Sequence, residues 1–266
     1  MVKVAVAGCA GRMGQRIVCA VDQSAIVGLG AGFEKKGHGA VGKDIGFVAG
    51  IEEKKITIGD SVNVATGCGA IIDFTAADAT EANVAFARKQ GINMVIGTTG
   101  FSEAQKQAIS QAARDIAIVF APNFGVGINV LLNVVKRVAS VVGSSFDIEV
   151  IEAHHNKKKD APSGTALGLA EAAAAGLKIS LKDHAVYGRQ GNVGARKQNE
   201  IGIHAIRGGD IIGEHTVMFA GSGEKIEISH SVVTRDVLAQ GAVRAAEFLC
   251  EKKSGLFDMQ DVLGLK

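Results

Sequence analysis

The sequence contains no tryptophan, one tyrosine and only two prolines among its 266 residues. Aromatic side chains make up 5% of the chain, so a base-stacking platform for single-stranded nucleic acid is not expected. The formal net charge is +2 at pH 7, which gives no electrostatic basis for attraction to nucleic acid or to an anionic membrane. We therefore expect neither nucleic acid nor a membrane as a partner.

Cysteine is also scarce, and its spacing excludes two kinds of site. No two cysteines have the close spacing of a zinc site or of a redox pair, so no metal site is expected. Scattered cysteines in a chain of this size are typical of reduced thiols in the cytosol. The four cysteines are Cys9, Cys19, Cys68 and Cys250.

The sequence has no long uninterrupted apolar run. Its most apolar stretch, 126–142, contains two asparagines and the adjacent Lys136 and Arg137, which predicts a buried or interface helix rather than a membrane span. The first residues show no basic segment followed by a long apolar run, so no signal peptide is expected. Together with the scattered cysteines, these features predict a cytoplasmic protein.

Glycine, in contrast, is abundant, and the pattern around it predicts two domains. In the first half, β-rich runs alternate with helical segments, which is typical of βαβ units and a parallel sheet. After about residue 123 a long helix is followed by a strand, a helix and three strands without helices between them, which favours a mixed or antiparallel sheet. We predict an α/β chain with a parallel-sheet, dinucleotide-binding domain and an α+β substrate and oligomerisation domain. Their predicted ranges are 1–125 with 236–266, and 126–235.

The strongest local motif lies at the start of the chain, where a β-rich run meets a glycine turn and then a helix predicted over residues 15–23. Glycines let the backbone approach a pyrophosphate, and the helix N-terminus offers free N–H groups. The spacing G-x-x-G-x-x-G departs from the usual Rossmann pattern because an alanine occupies the middle position. The predicted cofactor-binding residues of this turn are Gly8, Cys9, Ala10, Gly11, Arg12 and Met13.

The second strand ends at Glu34, whose carboxylate suits the ribose hydroxyls of NAD. Lys35 and Lys36 follow directly and suit the 2′-phosphate of NADP. We therefore expect NADH, NADPH or both as cofactor; the alternative is that 34–36 is a solvated turn.

Two later loops follow predicted strands of the same sheet. Ligands bind at the carboxyl ends of parallel strands, so both loops are expected near the nicotinamide end of the cofactor. Pro122 has no N–H and cannot donate a backbone hydrogen bond there. The predicted cofactor-binding residues of these loops are Gly97, Thr98, Thr99, Ala121, Pro122, Asn123 and Phe124.

The segment 152–167 reads EAHHNKKKDAPSGTAL and gathers groups that suit acid–base chemistry on an anionic substrate. Two histidines and three lysines offer proton donors and positive charge. Ser163, Gly164 and Thr165 begin a predicted helix, whose N-terminal N–H groups suit a carboxylate. The alternative is that the histidines lie in a plain loop, the lysines are solvated and the serine is an ordinary helix cap.

With these motifs in order along the chain, the sequence resembles the dihydrodipicolinate reductases, also called 4-hydroxy-tetrahydrodipicolinate reductases. The resemblance covers nearly the whole chain and implies NAD(P)H-dependent reduction of a cyclic dicarboxylate with loss of water, in diaminopimelate and lysine biosynthesis. It also implies a Rossmann domain rejoined by the C-terminal helix, and a homotetramer built by the mixed sheet. The stretches that carry it are VAVAGCAGRMG, IDFT, MVIGTTGF, IVFAPNFGVGINV, EAHHNKKKDAPSGTAL, IRGGDIIGEHTVMF and SGLFDM.

The same resemblance implies roles for single residues. His154 is expected as the general acid/base and Lys158 as the proton donor that partners it, although the adjacent Lys157 and Lys159 leave the choice of lysine open by one residue. His155, Gly164 and Thr165 are expected to bind a substrate carboxylate.

Two alternatives belong to other classes. One is another two-domain Rossmann dehydrogenase. An aldehyde dehydrogenase would need an activated cysteine, but Cys9 lies in the glycine turn and Cys68 in an apparent loop, and neither has a histidine close in sequence. A non-catalytic dinucleotide-sensing module would keep the glycine turn and would have no need for the segment 152–167.

Overall fold

The computed structural model describes residues 1–266, which form two compact units. The first unit consists of Met1–Val126 and Arg235–Lys266, and the second of Gly127–Thr234.

The first unit is built on a six-stranded, wholly parallel sheet with the order β11-β5-β4-β3-β1-β2. In this order β1 lies between β2 and β3, so the connections from β1 to β2 and from β2 to β3 run to opposite sides of β1. The carboxyl end of β1 is therefore the topological switch point of the sheet, which is where open α/β sheets bind ligands. The strands are β1 Val2–Ala7, β2 Val27–Phe33, β3 Ala70–Asp73, β4 Asn93–Ile96, β5 Ala117–Phe120 and β11 Gly255–Phe257. The helices are α1 Arg12–Asp22, α2 Ile45–Ala49, α3 Ala77–Gln90, α4 Glu103–Ala112, α8 Asp236–Leu249 and α9 Met259–Val262.

Both faces of this sheet are covered by helices, which explains why its central strands are continuously apolar. Alternate residues of β1 point to opposite faces: Val4 and Val6 join the core formed with α1 and α8, whereas Ala5 and Ala7 join the core formed with α3 and α4. The C-terminal α8 therefore completes one face of the first unit's sheet.

The second unit contains a five-stranded mixed sheet with the order β10-β9-β6-β8-β7. Its central strand, β6, pairs parallel with β8 and antiparallel with β9. Helices α5 and α6 pack on one face of this sheet. The strands are β6 Asp147–His154, β7 Ala185–Tyr187, β8 Ile201–Arg207, β9 Gly213–Ala220 and β10 Lys225–Val232. The helices are α5 Val126–Val142, α6 Gly164–Leu177 and α7 Leu181–His184.

Helix α5 with the turn after it, Val126–Ser145, has the length and apolar composition that a membrane span requires. Core helices of soluble proteins can have the same properties. Its inward side chains, including Ile128, Leu131 and Val135, are buried in the core of the second unit, while Val130 and Val134 are exposed. This placement agrees with the predicted buried or interface helix. That the protein has no membrane partner stays a prediction.

The structure also corrects several predicted element bounds. Helix α1 begins at Arg12 rather than Gln15, because Gly11 has the extended backbone of an N-cap residue. Gly14 therefore lies inside the first turn of the helix. The short β7 and β11 and the helices α2, α7 and α9 were not predicted, because three to five residues are too few for a periodic pattern.

Candidate functional site

The glycine turn after β1 forms a cradle in which Gly8 and Gly14 have no room for a side chain. Gly8 has a φ of +63°, and a Cβ there would lie 2.8 Å from the Thr75 methyl group across the switch point. A Cβ at Gly14 would overlap the carbonyl oxygen of Gly8. The backbone of the turn can therefore approach a ligand closely, and the first turn of α1 begins beside it.

A cleft of about 390 Å³ lies next to this cradle. Phe33, Val62 and three alanines give it apolar walls, and Glu34 and Lys35 add charged groups to its lining. This shape and polarity suit the adenosine end of a dinucleotide. Its lining residues are Gly8, Phe33, Glu34, Lys35, Asp60, Ser61, Val62, Thr75, Ala76, Ala79, Ala82 and Asn83.

Glu34 and the glycine turn are already connected by a hydrogen bond. The Ala10 N–H donates to Glu34 Oε1 at 2.9 Å, so the predicted ribose acceptor also holds the turn in place. Cys9, by contrast, is fully buried in the core, so only its backbone can face a cofactor. Burial raises the pKa of the Cys9 thiol to about 12, which makes this cysteine unreactive.

The loop after β4 is held by a buried carboxylate that the sequence did not single out. Asp73 is fully buried and accepts hydrogen bonds from the Thr75 hydroxyl at 2.6 Å and the Asn83 amide at 2.8 Å. The Gly97 N–H donates to the Asp73 carbonyl at 2.9 Å. Thr98 is buried, and its hydroxyl lies in the same network, so of the predicted loop residues Thr99 has the exposed side chain.

The loop after β5 contributes mainly backbone. The Ala121 N–H donates to the Ile96 carbonyl and Pro122 has none, so neither residue offers a free donor to a cofactor. The Phe124 side chain is buried against Phe74, with ring centroids 5.1 Å apart. The residues of the first unit thus fit a dinucleotide through the cradle, the cleft and the half-buried Asn123.

In the second unit, His154 is the last residue of β6 and forms the centre of a buried polar cluster. Its Nδ1 lies 2.6 Å from Glu152 Oε2. Arg207 binds both oxygens of the same carboxylate, at 2.8 and 2.9 Å, and the Ser163 N–H donates to Glu152 Oε1 at 2.9 Å. Because β8 pairs in register with β6, Arg207 lies directly opposite His154. Glu152 is fully buried, and both of its oxygens accept hydrogen bonds from Arg207.

His215 of β9 is the second buried histidine of the cluster. Its ring lies edge-on to His154, with centroids 5.2 Å apart, and its Nε2 lies 3.3 Å from the Ser163 hydroxyl. Ser163 is also the N-cap of α6 and accepts from the Ala166 N–H at 3.2 Å. One serine therefore links the helix N-terminus, the buried carboxylate and His215.

The charge states of this cluster follow from burial and contacts. Burial opposes ionisation of Glu152, but hydrogen bonds from Arg207 and His154 outweigh it and hold the pKa of Glu152 below its usual value. Burial, with the nearby His154, lowers the pKa of His215 to about 4. The cluster therefore combines an ionised carboxylate with a neutral His215.

The structure brings most of the other predicted residues to the same end of the sheet. Lys158 is half-buried, and its Nζ lies 2.9 Å from the Asp160 carboxylate, whereas Lys157 and Lys159 are exposed. Gly164 and Thr165 form the first turn of α6 after the Ser163 cap. His155 follows His154 directly, with its buried Nδ1 unpartnered.

Glu152, Arg207 and His215 were not predicted as site residues, although all three belong to a pattern in the strands. Along β6 the residues facing α5 and α6 are Ile148 and Val150, and then Glu152 and His154. The inward residues of β8 and β9 also change from apolar to polar at this end of the sheet. Only the register of β6 with β8 and β9 brings Glu152, Arg207 and His215 together.

Two family descriptions match almost the whole chain. "Dihydrodipicolinate reductase, N-terminus" matches residues 2–124, and "Dihydrodipicolinate reductase, C-terminus" matches residues 127–263. The chain belongs to the dihydrodipicolinate reductase family.

Full-length relatives support this membership. The chain is 49% identical over 267 residues to a 4-hydroxy-tetrahydrodipicolinate reductase of Geotalea daltonii, with 100% of both chains covered. It is 50% identical over 263 residues to a reductase of the same name from Cupriavidus necator, with 99% of both chains covered. A dipicolinate-bound dihydrodipicolinate reductase from Paenisporosarcina sp. TG-14 has the same fold, with a TM-score of 0.75, 24% identity and 98% of both chains covered.

These findings confirm the predicted family, the Rossmann-type parallel sheet with a second mixed sheet, the oxidoreductase activity and the NAD(P)H cofactor. The two alternatives, another Rossmann dehydrogenase and a non-catalytic sensing module, are set aside. The roles of single residues and the functional assignment of each domain stay predictions.

Proposed function

We propose that this chain reduces 4-hydroxy-tetrahydrodipicolinate to tetrahydrodipicolinate with loss of water, with His154 as the general acid/base and Lys158 as its partner. The observation that carries the assignment of His154 is its contact with the fully buried Glu152 at the end of β6, 2.6 Å away. A histidine held by a buried carboxylate can exchange a proton while its ring stays fixed.

The first unit suits the dinucleotide. The turn Gly8–Met13 and the first turn of α1 would hold the pyrophosphate, Glu34 with Lys35 the adenosine ribose, and the loops 97–99 and 121–124 the nicotinamide end. When bound, NADH or NADPH supplies the hydride.

The second unit suits the dicarboxylate. The start of α6 at Gly164 and Thr165, with Ser163 as its N-cap, favours a carboxylate through the positive end of the helix dipole. His155 and Lys158 add donors and positive charge near by. Lys158 is preferred to its neighbours because it alone of the three lysines is half-buried and oriented, by the contact with Asp160. Charge that develops on the substrate ring would be stabilised by this cation.

The proposal is tested by an absorbance assay of NAD(P)H oxidation. The unstable substrate is generated in the cuvette by the synthase that precedes this reaction, and the protein is then added with NADH or NADPH. Rapid protein-dependent oxidation is expected, and the two values of kcat/KM give the cofactor preference. No oxidation by a folded sample that still binds NADH would contradict the substrate and leave the cofactor site standing.

The homotetramer implied by the resemblance and the cytoplasmic location expected from the scattered cysteines are part of this proposal. Light scattering coupled to gel filtration measures the mass of the assembly, and four copies of the 27.4 kDa chain are expected.

A further inference from the structure

Glu152 is fixed on all sides by donors. Its Oε1 accepts from the Ser163 N–H and from Arg207 Nη2, both at 2.9 Å. Its Oε2 accepts from Arg207 Nη1 at 2.8 Å and lies 2.6 Å from His154 Nδ1. The guanidinium forks the carboxylate in the two-bond geometry that favours the ionised form. The carboxylate therefore has no proton of its own to share.

This charge state determines which nitrogen of His154 carries the proton. An ionised carboxylate only accepts, so the short contact requires a proton on Nδ1. In the neutral ring the other nitrogen, Nε2, must then have the free lone pair. In the protonated ring both nitrogens carry protons, and only Nε2 can give one away without breaking the contact with Glu152.

The surroundings of Nε2 agree with this assignment. A Cβ on residue 213 would lie 3.2 Å from His154 Nε2, which is tighter than ordinary packing, and Gly213 leaves that space empty. The neighbouring His215, whose pKa is about 4, is neutral and places no second positive charge there. The Nε2 side of the ring is thus the side kept clear.

Arg207 pairs with the buried carboxylate of Glu152 and also reaches the loop that contains Lys158. Its Nη2 donates to the Asp160 carbonyl at 2.6 Å, and the Asp160 side chain pairs with Lys158. One guanidinium therefore connects the carboxylate behind His154 with the segment that orients the lysine.

We propose that Glu152, held by Arg207, is a positioning residue that keeps the His154 proton on Nδ1 and so makes Nε2 the atom that exchanges protons with the substrate. This rests on the proposed role of His154. When the imidazolium gives its Nε2 proton to the substrate, Nδ1 keeps its proton and the ring becomes neutral. No other bond of the chain changes in that step.

The first test is ¹⁵N NMR of the imidazole rings in the wild-type protein near neutral pH, with His154→Gln used to assign the signal. The Nδ1–H tautomer is expected for His154. An Nε2–H tautomer would overturn the proposal whether or not the protein turns over the substrate, so this result is independent of the proposed reaction.

The second test is the kinetics of Glu152→Gln. A glutamine keeps the size of the side chain, but its amide must point NH₂ at one of the donors, so the His154 tautomer is no longer fixed. We expect kcat to fall by at least about 10²-fold with the KM for NADH unchanged, since general acid–base catalysis contributes that much. A kcat within about twofold of wild type would contradict the proposal.

The same strand offers a matched control. Glu149 lies on the opposite face of β6, and its Oε2 is 2.7 Å from His204 Nε2, with Arg189 and Arg196 beside it. Glu149→Gln removes a similar carboxylate–histidine–arginine contact and is expected to leave kcat and the His154 tautomer unchanged. An equal loss of kcat in both variants would show a structural effect and overturn the proposal.

Gly213→Ala covers the case in which Glu152→Gln does not fold. The added methyl group would crowd Nε2 and leave the carboxylate untouched. We expect it to lower kcat while the Nδ1–H tautomer persists; an unchanged kcat would contradict the assignment of Nε2 as the exchanging atom.

Discussion

The cofactor site of the first unit and the polar cluster of the second unit are built from different materials. The first uses backbone: glycines at positions where any side chain would collide with a neighbour, N–H groups and a helix N-terminus. The second uses side-chain charge: a buried carboxylate, an arginine that forks it and two histidines. The first site should therefore fail when volume is added, and the second when charge or a proton is removed at constant volume.

The largest effect is expected where the second site loses its proton carrier. His154→Gln keeps a polar side chain of similar size, and we expect kcat to fall by about 10²–10⁴-fold while the KM for NADH changes little. Steady-state kinetics with the coupled assay measure both constants. His204→Gln, a half-buried histidine elsewhere in the same unit, is the control and should leave kcat unchanged. A rise in KM with normal kcat would assign His154 to binding instead.

A smaller effect is expected from the carboxylate-binding end of the same site. Thr165→Val removes a hydroxyl without changing shape, so we expect the KM for the dicarboxylate to rise by about 10- to 100-fold, as for one hydrogen bond to a charged group. The kcat should stay close to the wild-type value. Thr216→Val removes a hydroxyl from β9 that contacts Ser229, and it should change neither constant. A fall in kcat alone would place Thr165 in the chemical step.

The difference between the two sites also explains what sequence analysis could predict. The cradle is contiguous in sequence, so a strand followed by closely spaced glycines and a helix predicts the turn from local residues alone. The parallel sheet followed from alternating segments of ordinary length. Helix α1 was predicted to start three residues late, because the N-cap, Gly11, has no side chain that could mark the start of the helix.

The charged cluster was only half predictable, for a physical reason. His154 and Glu152 lie in one segment, but Arg207 and His215 come from β8 and β9, some fifty to sixty residues away. Their alignment depends on the register of a mixed sheet, which a shift of one residue would reverse. Asp73 was missed for the same reason, since its partners Asn83 and Thr98 come from other elements.

The need for space at the cradle is tested by a glycine-to-alanine substitution in two helices, one in each unit. At Gly14 of α1 a methyl group would overlap the Gly8 carbonyl oxygen, whereas at Gly168 of α6 it would meet only Leu132 Cδ2 at 3.7 Å. We expect Gly14→Ala to destabilise the protein by about 1–3 kcal/mol and to weaken NADH binding. Gly168→Ala should stabilise it by about 0.5–1 kcal/mol, because alanine favours a helix interior. Urea unfolding and NADH titration measure both effects; equal stabilities for the two variants would contradict the close approach at the cradle.

The smallest effect concerns the pH dependence of stability, which should come from the buried histidine of the charged cluster. His215 has a pKa of about 4 in the folded chain against 6.5 for an ordinary histidine, mainly because it is buried. The unfolded chain therefore binds the proton more readily between these values, and the contribution of His215 to stability is complete above pH 6.5 and is lost as the pH falls towards 4. Between about pH 7.5 and about pH 5.5 the expected loss is about 1.4 kcal/mol.

His215→Gln should remove this part of the decline, so that the free energy of unfolding falls by about 1.4 kcal/mol less than in the wild type over the same interval. Because the chain has no tryptophan, urea unfolding is followed by circular dichroism, and hydrogen exchange of the β9 amides reports on the second unit. His38→Gln, in a half-buried loop of the first unit, is the control and should keep the wild-type decline. If the free energy of unfolding fell as steeply with pH in both variants as in the wild type, the burial of His215 would not be the cause of the pH dependence. The second unit would then have to accommodate a proton on His215 inside its charged cluster.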